Sequence, residues 1–187
     1  MGALGHERLA SLIDAHAGVV GNYLRRRVYP LSPSDLDDLI EETFVVIWRR
    51  LGDVPSGDGE RPWIIGVARN VLHNAQRANR RRRRHESSIL SRGEAPSAED
   101  EAIADISGRA ALIALRAADR EILALHYWDG LDLGDLSLVL GVSQNAAGTR
   151  LSRAKARFVE QVRTLDELGT SATAADMERM EQEKRSP

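Results

Sequence analysis

Apolar positions recur three and four residues apart through almost the whole chain, and no stretch alternates as a half-buried strand would. Leu9, Leu12, Ile13, Ala17, Val20 and Leu24 fall on one side of a predicted helix over residues 7–28, which Pro30 and Pro33 break. A second helix is expected to start at Ser34, where Ser34 and Asp37 form a capping-box-like pair with Asp in place of the usual Glu. Leu36, Leu39, Ile40, Phe44, Ile47 and Trp48 carry its apolar face to about Leu51. The turn-forming stretch GDVPSGDGE follows. Pro62 suits the first turn of a third helix, whose Ile64, Val67, Ala68, Val71, Leu72 and Ala75 make a buried face. Arg69, His73, Gln76, Arg77, Arg80 and Arg84 lie on another face, with Asn70 and Asn74 at its edge.

After this block the pattern lapses. ESSILSRGEAPSAEDEA is polar, acidic and poor in large apolar residues, as a flexible linker is. A second helical block runs over about 101–165. Within it Leu133, Leu136, Val139 and Leu140 form the stripe of a short helix, and Gly141 stands where a left-handed residue would end it. Val142 would plug the core, and Ser143 can cap the next helix. That helix would bury Ala147, Leu151 and Ala154 and show Gln144, Asn145, Thr149, Arg150, Arg153 and Arg157. The final stretch has weak periodicity and fits a frayed helix or a disordered tail. The pattern therefore predicts an all-α chain of two small helical domains joined by a flexible linker, the second a helix-turn-helix. The boundaries are 1–85, a linker over 86–100, 101–165 and a tail of unknown role over 166–187.

Composition narrows the classes. Among 187 residues there is no cysteine, which excludes disulfides, thiolate metal sites and a cysteine nucleophile and fits a reducing cytoplasm. No apolar run approaches the roughly 18 residues of a membrane span, and the N-terminus lacks a signal-peptide core. We therefore expect a cytoplasmic protein without membrane insertion. The net charge of −2 hides an alternation. Residues 1–85 carry +4 (14 basic, 10 acidic), 86–108 carry −5, 109–165 carry +2 and 166–187 carry −3. Five consecutive arginines, Arg80 to Arg84, close the third helix. A block of one sign calls for a partner of the other. If the helix persists, Arg69 to Arg84 span about 22 Å, enough for several phosphates.

Candidate chemistry is sparse. Asp35, Asp37, Asp38, Glu41 and Glu42 lie within eight residues. A two-metal nuclease would use such carboxylates. A helix N-terminus also favours them, because negative charge complements the positive end of its dipole. Metal ligands usually come from several elements, and no histidine pattern accompanies this cluster, so we read a capped, acidic, partner-facing helix. The five histidines are scattered, and neither a Gly-rich phosphate loop nor a nucleophile elbow is present. We expect no enzyme, no cofactor and no metal site. The helix after Ser143 has what reading DNA requires: amide and hydroxyl side chains for base edges, arginines for bases and phosphates. An ordinary helical hairpin with a solvated basic face is the plainer alternative, but the order helix–Gly–apolar–Ser–helix favours DNA binding.

With both blocks read, residues 7–165 resemble the extracytoplasmic-function (ECF) branch of bacterial sigma factors. DLDDLIEETFVVIWRRL looks like the family's D-x-x-D-L-x-Q-E-x-F-x-x-x-W helix. RPWIIGVARNVLHNAQRANRRRR looks like its promoter-melting helix, and REILALHYWDGLDLGDLSLVLGVSQNAAGTRLSRAKARF like its C-terminal helix-turn-helix. The resemblance implies a promoter-specificity subunit that binds core RNA polymerase and promoter DNA and is held inactive by an anti-sigma factor. Polymerase binding would fall to Asp38, Leu39, Glu41, Glu42 and Phe44. The −10 element would be read as single strand, with a flipped base in the pocket of the 53–60 loop. Asp53, Ser56, Asp58, Trp63, Arg69, Asn70, Asn74, Arg77 and Arg80 would serve it. The −35 element would meet Ser143, Gln144, Asn145, Thr149, Arg150, Arg153 and Arg157. Three positions depart from the pattern: Glu41 for Gln, Ser137 for a small Ala, and Gly148 for a basic residue. A conventional helix-turn-helix regulator is the alternative, although it has no need of the acidic helix joined to an Asn-bearing basic one. A nucleic-acid hydrolase built on the acidic cluster is a third reading.

Overall fold

The structure, a computed structural model, describes residues 3–28, 31, 35–86 and 106–185. Ser34, and with it the expected capping box, lies outside the described residues, as does the expected linker beyond Glu86. Among the described residues every regular element is helical. Two compact units form, one from residues 1–99 and 131–142, the other from 100–130 and 143–187.

In the first unit, α1 (Ala3–Arg25), α2 (Asp35–Arg49) and α3 (Glu60–Glu86) pack each against the other two. Burial follows the apolar spacing. α1 contributes Leu12, Val20 and Leu24, α2 Leu39, Phe44 and Ile47, and α3 Ile64, Val67, Ala68, Val71 and Leu72. Residues outside the predicted stripes are also buried, among them Tyr23, Ile65 and Thr43. The Thr43 hydroxyl is satisfied by donating to the Leu39 carbonyl at 2.7 Å, so a polar side chain can sit in the core. Ile13, expected on the buried side of α1, is at the rim with 36% of its surface exposed. A Cβ at Gly21 would stand 3.7 Å from Ile40 Cδ1, so this glycine sits at the α1–α2 contact.

α6 (Leu133–Leu140) packs on α3, and segment 131–142 groups with the first unit. Leu131, Leu136 and Val139 are buried. Gly66 lies at this contact: its Cβ would stand 3.7 Å from the Val139 Cα. Asp132 caps α6 through a reciprocal box with Asp135, a signal the sequence carried but the apolar stripe alone did not reveal. Gly141 ends it at φ 63° as expected, and the Val142 N–H donates to the Ser137 carbonyl at 3.0 Å.

The second unit comprises α4 (Ile106–Ala114), α5 (Ala117–Tyr127) and α7 (Gln144–Arg185), with α4 and α5 each packed on α7. Its core combines Ala111, Leu115, Ile122, Leu123 and Leu125 with Ala147, Leu151 and Ala154 of α7. α7 is longer than expected, running past Leu165 to Arg185. Its distal sequence is rich in Ala, Glu, Met and Arg, which favour helix intrinsically even where no apolar stripe marks one face.

Candidate nucleic-acid and partner interfaces

The start of α2 presents Asp37, Asp38, Glu41 and Glu42 to solvent, with Asp35 half-buried. Leu39 and Phe44 were expected on the same partner-facing surface, but they are 3% and 8% exposed. Phe44 therefore supports that surface from beneath, because its ring belongs to the unit's core. Leu39 forms part of the floor of a depression of about 210 Å³, walled by Asp35, Asp38 and Glu42 of α2 and by Ala75, Ala78, Asn79 and Arg82 of α3. Its rim is mostly acidic and its floor apolar. Among the described residues no group of three or more His, Asp or Glu could hold a metal ion.

Between α2 and α3 the chain makes two 3₁₀ turns, Leu51–Asp53 and Gly57–Gly59. Ser56, Gly57 and Asp58 are exposed at the tip. Gly57 has φ 69°, which a side chain would strain, and a Cβ at Gly59 would meet Pro55 Cβ at 3.1 Å. Asp53 is exposed but not idle: its Oδ2 accepts from Arg50 Nε at 2.9 Å. The Arg50 guanidinium also lies 5.3 Å from the centre of the Trp63 ring. Trp63 is half-buried in the first turn of α3.

α3 stays helical to Glu86, so the arginine run belongs to the helix and does not trail beyond it. Asn70, Asn74, Arg77, Arg80, Arg81, Arg82 and Arg83 are exposed. The face expected to carry Arg69, His73, Gln76, Arg77, Arg80 and Arg84 is divided. Arg69 and His73 are half-buried, and Gln76 donates to the Arg27 carbonyl at 3.0 Å, tying α3 to the end of α1. The sequence marked this face as polar, but a tie across 49 residues leaves no local signature.

In the second unit, Ser143 caps α7 by accepting from the Ala146 N–H at 3.3 Å. Gln144, Asn145, Thr149, Arg150 and Arg153 are exposed on its first turns, opposite buried Ala147, Leu151 and Ala154. The Thr149 hydroxyl donates to the Asn145 carbonyl at 2.9 Å. Gly148 is half-buried, so this departure lies at the border of the buried face. Arg157, expected among the DNA contacts, is exposed and also braces the unit: its Nη1 lies 2.8 Å from both carboxylate oxygens of Asp119 on α5. Asp119 is only 12% exposed and Arg157 49%, so the carboxylate depends on this partner.

Comparison with known proteins adds the family. Residues 12–82 match the model of sigma-70 region 2 and residues 109–158 that of sigma-70 region 4, together more than half of the chain. The RNA polymerase sigma factor NccH of Alcaligenes xylosoxydans xylosoxydans is 28% identical over 142 residues, covering 71% of this chain and 75% of that protein. The ECF RNA polymerase sigma factor SigL of Mycobacterium tuberculosis is 28% identical over 170 residues, covering 87% of this chain and 92% of that one. Among solved structures, the sigma factor RpoE from Bartonella quintana, in complex with the anti-sigma factor NepR, shares the fold. It matches with a TM-score of 0.59 and 21% identity over 81% of this chain and 96% of that chain.

Proposed function

The chain belongs to the sigma-70 family, in its extracytoplasmic-function branch, and from that premise we propose how this RNA polymerase sigma factor divides its work. The acidic start of α2, with Asp38, Glu41 and Glu42 over Leu39 and Phe44, docks on core polymerase. The 53–60 loop and the exposed edge of α3, with Asn70 and Asn74, take the −10 element as single strand. Arg77, Arg80 and the following arginines hold its phosphates and carry no sequence information themselves. The first turns of α7, from Ser143 to Arg153, read the −35 element in the major groove. The region 2 match over the N-terminal half leaves no place for a conventional helix-turn-helix regulator.

The observation that carries the division is the geometry of α3. One face is closed by Ile64, Ile65, Val71 and Leu72, while two asparagines stand exposed one turn apart before an uninterrupted helical arginine run. Unstacking a base costs a few kcal/mol, which a pocket and stacking contacts offset. The polymerase supplies all the chemistry, and this chain acts as a non-enzymatic initiation factor in the cytoplasm. Among the described residues no helix is long and apolar enough to cross a membrane. An anti-sigma factor holds the chain inactive, a reading supported by the complex in which the Bartonella quintana RpoE is found. The two functional domains follow the order of the chain, 1–85 and 101–165, joined by the acidic linker over 86–100.

The test is to add the purified chain to core polymerase and map the 5′ ends of transcripts from genomic DNA. Start sites that depend on the chain, sharing −35 and −10 elements, are expected. Their absence would sink the reading. Asn70→Ala should abolish open-complex formation while polymerase binding is retained. Loss of polymerase binding instead would remove Asn70 from the −10 site.

A further inference from the structure

The loop over 51–60 is fastened to a helix far from it in sequence. Arg8 Nη2 of α1 donates to the Val54 carbonyl at 2.9 Å, in a partly buried setting. Two turns further along α1, His16 Nε2 lies 2.6 Å from Glu60 Oε1, with side chains 12% and 28% exposed. Val54 is buried between the two 3₁₀ turns, and Glu60 opens α3. The two ties thus bracket the five residues that form the tip, Pro55 to Gly59. Among the described residues the other ring nitrogen of His16, Nδ1, is buried and meets no partner. The Glu60 contact therefore fixes the ring by itself.

We infer that Arg8 and His16 of α1 are positioning residues for base recognition, a two-point brace that sets the shape of the 53–60 loop at the −10 element. The inference rests on the proposed reading of that loop. Neither side chain needs to touch DNA. Each acts on a backbone or side-chain group at one end of the tip, and Gly57, at φ 69°, leaves the residues between free to flex unless the ends are held. A recognition pocket must be held to within a fraction of an ångström by its supporting residues, and two ties between rigid helices and a short loop meet that need. Both ties are made by α1, which carries none of the expected DNA contacts.

The test uses the full chain with core polymerase and a promoter identified by transcript mapping. Open-complex formation is measured on that promoter and on versions with each −10 base replaced, in duplex and in pre-melted form. Arg8→Ala and His16→Ala should each lower discrimination at one −10 base about tenfold, the scale of one lost charge-assisted hydrogen bond. Polymerase affinity and the thermal midpoint should be retained, and the loss should persist on the pre-melted promoter. His16→Gln, whose amide nitrogen can stand for Nε2, should restore discrimination. Hydrogen exchange on the chain alone should quicken at the 56–59 amides in both Ala variants. Ser56→Ala and Asp58→Ala separate the two readings. If they leave base preference unchanged, the loop does not read the −10 element and both readings fall. If they change it while the α1 variants do not, the brace alone is overturned. A uniform loss at every base, with a lowered midpoint, would also overturn it.

Discussion

α3 and the first turns of α7 both set a polar, basic face opposite a buried one, yet they are held in opposite ways. α3 is anchored by bulk: Ile64, Ile65, Val67, Val71 and Leu72 are all within 5% of complete burial. α7 is anchored by closeness, through Ala147 and Ala154 at 0% exposure on either side of Leu151. The difference predicts opposite sensitivities. Ile64→Ala empties a volume that rigid neighbours cannot refill and should cost about 3 kcal/mol. Ala154→Leu forces an extra isopropyl group into a close contact and should cost about 2 kcal/mol. Urea unfolding of the full chain measures both. If Ala154→Leu were neutral, α7 would not be seated by close approach and the contrast would fail.

Their polar faces differ too. On α3 Arg80, Arg81, Arg82 and Arg83 are exposed, while Gln76 is committed to the α1 terminus. On α7 the commitment falls on a charge, because Arg157 braces Asp119. Arg157→Ala leaves a largely buried carboxylate without its partner. Half of the arginine side chain is exposed to water, which moderates the penalty, so about 1.5 kcal/mol of stability should be lost. Promoter affinity of the folded chain should change little, as titration with −35 DNA under stabilising conditions would show. A large affinity loss without destabilisation would return Arg157 to the DNA face.

How far the sequence could be read follows from these cases. Residue spacing gave the helices and their buried stripes, because burial at i, i+3 and i+4 is a local property of one helix. It also gave the Gly141 turn and the Ser143 cap, where the need for a left-handed residue or an early oxygen acceptor is stated by residue type. Spacing could show that Gln76 and Arg157 faced away from the main stripe. It could not show that each meets a partner, 49 and 38 residues away. Leu39 and Phe44 are the converse case. The family pattern ties them to polymerase binding, whereas their burial means that they shape the surface from within. The grouping of 131–142 with the first unit depends on α6 meeting α3 at Gly66, a tertiary match without a local signal. The distal part of α7 stayed open between a frayed helix and a disordered tail, because propensity, and no amphipathic period, sustains it.

The smallest expected effects compare the arginines that remain exposed on the two helices. Arg153 is exposed on α7 with Arg150 as its nearest exposed basic neighbour, whereas Arg80 is followed directly by Arg81, Arg82 and Arg83. Neither substitution to Ala should move stability by more than about 0.5 kcal/mol. Each removes one phosphate-binding charge, and one phosphate contact is worth about one unit in the slope of log affinity against log salt. Arg153→Ala should come nearer that whole unit, since it has an exposed arginine three residues away on one side only, Arg150. Arg80→Ala should show less, because Arg77 and Arg83, three residues to either side and exposed, can neutralise the same stretch of backbone. Salt titrations of promoter binding by the reconstituted polymerase measure both slopes. An equal or larger change for Arg80→Ala would mean that the arginine run makes discrete contacts, residue by residue, instead of acting as a shared band of charge.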